Sequence, residues 1–218
     1  MKENEYLNIE NIEKSDGTRE FHPLKPFLPE GCKVLFLGSF PPQRKRWCMD
    51  FYYPNFLNDH WRIEGLIFFG DKNHFVDTEK KTFRLKEITK FLEEKGIGLF
   101  DTATAVRRLK DNASDKFLEV VEPTDIRAML RKIPECRVIA VTGEKAAATL
   151  CEQLGVAIPK VGNYTTKEIA VGNGSDEKGT DVRMISVYRL PSSSRAYPLA
   201  LDKKAEEYRK MFEFAGIL

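Results

Sequence analysis

The sequence has few of the features that mark secreted, membrane or metal-binding proteins. Its 218 residues include only four cysteines with no Cys-x-x-Cys pair, and no apolar run is long enough to cross a bilayer. The first residues, Met1–Glu5, are mostly charged or polar, unlike the start of a secretion signal. We therefore expect a cytoplasmic protein without a membrane segment. Its cysteines are expected to be buried free thiols, because iron–sulfur clusters mostly use at least one closely spaced pair.

The sequence also lacks an excess of charge of either sign. Although 31% of its residues are charged, 35 Lys and Arg against 33 Asp and Glu give a formal net charge of only +2. A basic surface that by itself indicates nucleic-acid binding is therefore absent. A polyanion would have to bind at a local cluster, and the best candidate is the run Arg44, Lys45, Arg46. The same run also fits a solvated surface loop.

Regular alternation of apolar runs and helical patterns predicts an α/β domain. The runs that predict buried strands are Lys33–Leu37, Gly98–Phe100, Arg137–Thr142 and Arg183–Tyr188. The segments with helical spacing or helix-start residues are Phe83–Lys95, Ile126–Lys132, a helix opening at Gly143, and Leu201–Ala215. Strands separated by helices predict a four-stranded parallel sheet covered on both faces.

The chain is long enough to form one hydrophobic core, since 42% of its 218 residues are hydrophobic. We expect residues 31–218 to form a single domain and residues 1–30, which are polar and end in a proline-rich stretch, to form an N-terminal arm. The glycine-rich segment Thr165–Asp181 precedes the last strand and is expected to be an exposed hairpin or a disordered loop.

Two loops that follow predicted strands point to a common pocket. They are Gly38–Pro42 and Leu190–Ser194, and loops at the carboxyl ends of parallel strands face one crevice. The first lacks the glycine spacing of dinucleotide loops and the Lys-Ser/Thr ending of phosphate-binding loops, so nucleotide binding is unsupported. The serines lack a nucleophile elbow, and only His22, His60 and His74 could serve as their bases. His60 and His74 are too few and too isolated to predict a zinc site.

Further candidate binding and catalytic residues lie in the segment Phe51–Trp61 and at Asp101. Phe51, Tyr52 and Tyr53 could stack on a planar base, which is worth roughly 1–3 kcal/mol per base, or could simply pack in the core. Asn58 stands where a helix should begin. It could be the N-cap of that helix, which would stabilise it by ~1 kcal/mol, and it could also face a pocket at the helix N-terminus. Asp101 ends the second predicted strand. Its carboxylate is a candidate base or water-orienting group, or it caps a turn at Thr102–Val106.

In order along the chain, these segments resemble the uracil-DNA glycosylase superfamily, most closely its hypoxanthine-DNA glycosylase-like branch. Val34–Pro42 is similar to the first motif, a strand followed by Gly-Ser-x-Pro. Tyr52–Trp61 keeps the spacing of the Tyr-Tyr…Asn-x-Phe-Trp segment, and Gly96–Asp101 with Val121–Pro123 is similar to the middle section. Leu190–Ser194 resembles the last motif, Leu-Pro-Ser-Thr-Ser. The resemblance spans residues 32–212.

The resemblance implies a three-layer α/β/α sandwich and a monomeric, monofunctional DNA N-glycosylase of base-excision repair that uses no metal and no cofactor. Such an enzyme flips a deaminated or damaged base out of DNA and hydrolyses its N-glycosidic bond. Carried over by position, the catalytic candidates are Asn58 and Ser39, with Asp101 beside them. The base-binding candidates are Gly38, Phe40, Pro41 and Tyr53. The DNA-binding candidates are Ser192, Ser193, Ser194 and Arg195, together with Arg44, Lys45 and Arg46.

The chain departs from the family pattern at several positions. Leu190 stands where uracil-removing relatives have a histidine that stabilises the leaving base, which argues against conventional uracil excision. Ser39 replaces the asparagine or acidic residue of other relatives, and His60 replaces a phenylalanine. Two alternatives therefore remain beside a glycosylase. One is a catalytically weak DNA- or nucleotide-binding protein of the same fold, and the other is an unrelated small α/β hydrolase.

Overall fold

The computed structural model describes residues 19–108, 118–172 and 181–218. Ten strands and five helices follow one another in this order: β1 (Glu20–Phe21), β2 (Val34–Gly38), α1 (His60–Phe69), β3 (Val76–Asp77), β4 (Thr82–Phe83), α2 (Leu85–Lys95), β5 (Ile97–Asp101), β6 (Ala103–Arg108), β7 (Leu118–Pro123), α3 (Ile126–Lys132), β8 (Val138–Thr142), α4 (Glu144–Leu154), β9 (Asn163–Ala170), β10 (Val182–Leu190) and α5 (Leu201–Phe214).

The main sheet has five strands in the order β5-β2-β8-β10-β9. The four predicted strands β2, β5, β8 and β10 run parallel, which confirms that part of the prediction. The prediction of four strands is wrong, because β9 adds a fifth at the edge and pairs antiparallel with β10. This pairing confirms the hairpin alternative for the described part of Thr165–Asp181. Residues 173–180 lie outside the described part of the chain.

Both faces of the central strands are covered. Consecutive residues of a strand point to opposite faces of the sheet, and Val34 to Leu37 of β2 are all 0% exposed. On one face, the ring of Phe36 packs against Tyr208 and Phe212 of α5 and against His60 of α1. A strand buried on both faces explains why β2 is an uninterrupted apolar run rather than an alternating one.

A second, smaller sheet was not anticipated from the sequence. Its strands are β1, β6 and β7, paired antiparallel in the order β1-β6-β7. The turn predicted at Thr102–Val106 is therefore wrong: β6 begins at Ala103, directly after β5 ends at Asp101. Irregular register between Ala103 and Val106 marks the place where the chain leaves one sheet for the other.

The helices begin close to their predicted positions. The carboxylate of Asp125 accepts a hydrogen bond from the Ala128 N–H, which caps α3 as the sequence suggested. Helix α2 begins at Leu85 rather than at Phe83, because Phe83 is engaged in the ribbon formed by β3 and β4. Helices α4 and α5 match the predicted segments.

The described part of the predicted N-terminal arm is attached to the domain by specific contacts. Phe27 is buried and exchanges backbone hydrogen bonds with Leu99 at 3.0 and 2.8 Å. The four cysteines are free, and three of them, Cys32, Cys136 and Cys151, are buried. Within the described ranges, no helix is both long and apolar enough to cross a membrane.

Candidate active site

A cavity of about 1200 Å³ opens where the parallel strands end. Both predicted loops line it, as expected for the carboxyl ends of strands in a parallel sheet. The predicted site residues that line this cavity are Gly38, Ser39, Phe40, Pro41, Arg46, Tyr53, Asn58, Asp101, Ser192, Ser193 and Ser194. Of the described residues predicted to bind DNA, Arg44, Lys45 and Arg195 lie outside the lining. The cavity therefore brings the catalytic and base-binding candidates together.

Asn58 is held at the cavity by both its backbone and its side chain. It forms an isolated antiparallel bridge with Ser194, and the next residue, Asp59, donates its N–H to the Ser193 carbonyl at 2.9 Å. Its side-chain Oδ1 accepts the His60 N–H at 2.9 Å, in the first turn of α1. Because Oδ1 accepts this bond, the amide is oriented and its Nδ2 donors remain for another partner. Asp59 occupies the N-cap position of α1 and makes no side-chain capping bond, so the acceptor for the first helical N–H comes from Asn58, one residue earlier.

Tyr53 lines the cavity and packs on the core at the same time. Its hydroxyl lies 3.2 Å from Thr142 Oγ1, a lining residue that the sequence analysis missed. Its ring stacks on His60 with the centroids 3.6 Å apart and an interplanar angle of 15°. Burial raises the pKa of the Tyr53 phenol, so the hydroxyl is neutral at physiological pH. Its φ of 49° lies in the left-handed region, an arrangement that costs free energy and is characteristic of functional sites.

A buried histidine–glutamate pair lies directly behind Tyr53. His60 and Glu64 occupy successive turns of α1, both side chains are 0% exposed, and His60 Nε2 lies 3.0 Å from Glu64 Oε1. Among the described residues, neither side chain makes a well-aligned hydrogen bond. Ionisable side chains are seldom fully buried in protein cores. His60 is thus part of a packed aromatic cluster rather than a group in the cavity.

Asp101 places its carboxylate between the cavity and the predicted arm. A methyl group at Gly38, on the neighbouring strand β2, would overlap Asp101 Oδ1, so a larger residue at this position would displace the carboxylate. The other oxygen, Oδ2, lies 2.9 Å from Nε2 of His22, whose side chain is 3% exposed. Sequence analysis missed His22, since residues some eighty positions apart carry no local spacing signal.

Phe40 belongs both to the cavity lining and to a second hydrophobic cluster. It lines the cavity but is only 8% exposed, and it forms a small second core with Ala103, Val106 and Leu118 of the smaller sheet. The adjacent Pro41 carbonyl accepts a hydrogen bond from Arg108, which also pairs with Glu20. The Gly38–Pro42 loop is therefore held against the smaller sheet by the packing of Phe40 and by the hydrogen bond from Arg108 to Pro41.

The serine loop is fixed by a charged cluster at its end. Arg195 Nε lies 2.9 Å from Asp59 Oδ1, and Lys204 Nζ lies 3.5 Å from Asp59 Oδ2. Lys204 also donates to the Ser194 carbonyl at 2.8 Å although it is only 1% exposed. A sequence signal for Lys204 existed: it stands on the same helical stripe as Tyr208 and Met211, both buried in α5.

The basic run forms a short exposed turn beside the cavity. Arg44, Lys45 and Arg46 make one turn of 3-10 helix, and all three are exposed. Arg44 pairs with Asp50 at 2.7 Å and lies over the ring of Trp47. Arg46 alone of the three reaches the cavity lining. Within the described residues, no group of three or more His, Cys, Asp or Glu side chains is arranged to hold a metal ion.

Comparison with known proteins supports the fold. No protein-family model matches the sequence, and no curated protein matches it significantly. Among solved structures, the chain is similar to a candidate uracil DNA glycosylase from Methanosarcina acetivorans that was determined by solution NMR. The two share 24% sequence identity with a TM-score of 0.53, over 88% of this chain and 96% of that one. At this identity, the comparison establishes that the two chains share a fold.

Proposed function

We propose that the protein is a DNA glycosylase of the uracil-DNA glycosylase superfamily, belonging to its hypoxanthine-DNA glycosylase-like branch. It hydrolyses the N-glycosidic bond of a deaminated or damaged base during base-excision repair. The observation that carries the proposal is the convergence of Asn58, Asp101 and the serine loop on one cavity, in a fold shared with a candidate enzyme of this class. In this proposal the chain acts as a monomer in the cytoplasm, with a three-layer domain at residues 31–218 and an arm at residues 1–30.

The chemistry requires three functions from the cavity. As the C1′–N bond breaks, its electron pair leaves with the base, while the sugar becomes cationic and is attacked by water. Donors are needed at the departing base, and the Nδ2 group of Asn58 supplies them. An acceptor is needed for the water, and the Asp101 carboxylate supplies it. A stacking face is needed for the flipped base, and Tyr53 offers a ring that His60 already supports from behind.

The lesion base is proposed to be a deaminated purine in preference to uracil. Leu190 lines the cavity and is 1% exposed, and its side chain has no hydrogen-bond donor for an anionic base. Another residue must then stabilise the leaving base, and we assign this role to the amide donors of Asn58. Hypoxanthine and xanthine are better leaving groups than undamaged purines because their anions are more stable.

Incubation with matched duplexes tests the proposal directly. Each duplex carries one uracil, hypoxanthine or xanthine, and abasic sites are cleaved afterwards with alkali. We expect cleavage at hypoxanthine or xanthine, with weaker cleavage at uracil, in buffer containing excess chelator. Asn58→Asp serves as the inactive control, since it retains the cap acceptor. Absence of cleavage at every lesion, with tight binding to DNA, would instead support a binding protein of the same fold.

A further inference from the structure

We propose that His22 is a positioning residue for hydrolysis: it holds the Asp101 carboxylate in the orientation in which it receives the attacking water. The inference rests on the proposed function, since it assigns the partner of the water-binding group. It also gives the predicted N-terminal arm a role, because His22 belongs to that arm rather than to the parallel sheet. The geometry that carries it is a carboxylate with one oxygen bound by His22 and the other beside the cavity.

The two oxygens of Asp101 lie in different surroundings. Oδ2 lies 2.9 Å from His22 Nε2, in a contact in which both side chains are largely buried. Oδ1 lies beside Gly38, where an added methyl group would overlap it, and both residues line the cavity. A carboxylate fixed through one oxygen presents the other in a single orientation. That orientation is what a residue positioning a water needs.

The backbone of Leu24 satisfies His22 in either of two protonation states. Nδ1 lies 2.8 Å from the Leu24 carbonyl and 3.1 Å from the Leu24 N–H. A neutral ring accepts from this N–H, whereas a protonated ring donates to the carbonyl. In both cases Nε2 carries a hydrogen, which it donates to Oδ2 of Asp101. The ring therefore supports the carboxylate whichever state it adopts.

The surroundings of the pair are aromatic. The rings of Phe100, Phe40 and Tyr52 lie 4.5, 5.4 and 6.3 Å from the His22 ring. Burial first, and the Asp101 charge second, raise the pKa of Tyr52, so this phenol is neutral, and its hydroxyl donates to the Lys25 carbonyl. The nearby cation Arg108 is paired with Glu20 and bound to Pro41. His22 is thus the group placed to compensate the Asp101 charge.

Asp101 and His22 together support the attack of water on C1′ of the lesion nucleotide. The oxygen of water forms a bond to C1′ as the C1′–N bond breaks, and the bonding pair leaves with the base. The proton released by the water passes to Oδ1 of Asp101, while the His22 hydrogen bond to Oδ2 stays in place. Solvent then reprotonates the base and restores the carboxylate. Asp101 touches the water, whereas His22 acts only through Asp101.

Three variants test the assignment with single-turnover rates on the best lesion duplex. His22→Phe keeps the aromatic packing but removes the donor, and we expect a rate at least about tenfold lower with lesion binding unchanged, since a hydrogen bond to a charged group is worth roughly 1.5–3 kcal/mol. His22→Gln retains an N–H donor and should recover most of the rate. Gly38→Ala should reproduce the loss by displacing Oδ1.

Separate measurement of lesion binding and of the single-turnover rate distinguishes positioning from a purely structural role. His22→Phe should lower the rate at saturating protein while its lesion affinity and thermal stability stay close to those of His22→Gln, which restores the rate because it restores the donor. Equal rates for His22→Phe and an active wild type would overturn the His22 assignment alone. A wild type that cleaves none of the lesions would overturn both this assignment and the proposed function.

Discussion

Asn58 and Ser194 form an antiparallel β-bridge that joins the start of α1 to the serine loop. The bond from the Asp59 N–H to the Ser193 carbonyl continues the pairing, and Lys204 binds both Asp59 and the Ser194 carbonyl. The segment proposed to act on the base and the segment proposed to hold the phosphates are therefore one connected unit. A displacement of either is transmitted to the other through backbone hydrogen bonds.

Asn58→Asp is the most informative change at this unit. The carboxylate can still accept the His60 N–H, so the free energy of unfolding should change by less than about 1 kcal/mol. The amide donors, however, are replaced by an anion that faces a leaving group of the same charge. We expect the single-turnover rate to fall by about 10²–10³, the loss seen when one donor to a developing anion is removed.

Asn58→Ala is the matched control, because it removes the cap and the donors together. Its thermal stability should fall while Asn58→Asp remains close to the wild type. If Asn58→Asp retained the wild-type rate per folded molecule, Asn58 would be a helix cap only, and its catalytic assignment would be wrong.

The fold was largely predictable from the sequence because its central strands are buried on both faces. Continuous apolar runs such as 34–37 and 138–141 leave little ambiguity. The edge strand β9 was missed as a strand of the sheet because its residues are mostly exposed and polar. Strand β6 was missed for a different reason: it follows β5 after a single residue, Thr102, with no turn signal between them.

The site was predictable where function depends on local sequence and not where it depends on long-range pairing. Asn58 and Ser39 stand in recognisable segments that the strand ends bring to the cavity. His22 becomes relevant only through its contact with Asp101, which is distant in the chain. The helical spacing of Lys204 indicates that it is buried in α5, but it contains no information on the pairing of Lys204 with Asp59.

Arg195→Ala tests how DNA is held. The pair of Arg195 with Asp59 leaves the guanidinium 47% exposed, with donors free to contact a phosphate. We expect weaker duplex binding that is independent of the flanking sequence, and a salt dependence whose logarithmic slope falls by about 0.9. Filter binding or anisotropy from low to moderate salt measures both quantities.

Lys90→Ala is a suitable control, since Lys90 is an exposed cation of α2 that pairs with Glu94. If Arg195 instead fills the gap left by the flipped base, its variant should bind undamaged duplex normally and lose binding or turnover only on lesion DNA. Identical behaviour of the two variants would mean that the DNA-binding face has been misplaced.

Breaking the buried His60–Glu64 pair is predicted to lower stability. Glu64→Leu leaves a buried imidazole without its partner, and we expect a loss of about 3 kcal/mol in unfolding free energy. The double variant with His60→Phe should recover most of this loss, because an aromatic ring is kept against Tyr53 and no buried polar group is left without its partner. Chemical denaturation of the two variants measures the difference.

The exposed pair Arg84–Glu87 supplies the comparison for that experiment. Both side chains are about half exposed, so Glu87→Ala should cost less than about 1 kcal/mol. A cost for Glu64→Leu no larger than this would contradict the view that burial makes the pair costly to break.

Buried tyrosines predict how the protein responds to alkali. Burial is the main cause that raises the pKa of Tyr52, Tyr53 and Tyr208 in the folded state, whereas an unfolded tyrosine titrates near 10. Above about pH 10 the unfolded chain therefore loses protons that the folded chain keeps. Their contribution to stability is fully present below that pH and is lost as the pH rises, by up to about 1.4 kcal/mol per pH unit for each phenol.

Tyr208→Phe isolates one of these groups. Its hydroxyl lies 3.2 Å from the Pro191 carbonyl, so the variant should be less stable by about 1 kcal/mol at pH 8, through the lost hydrogen bond. Because one titrating group is gone, the variant should lose stability less steeply above pH 10, and the difference from the wild type should narrow there. Urea denaturation between pH 8 and 11 measures both effects. Parallel pH curves for the two proteins would show that Tyr208 ionises equally readily in the folded and unfolded chains, contrary to its burial beneath the serine loop.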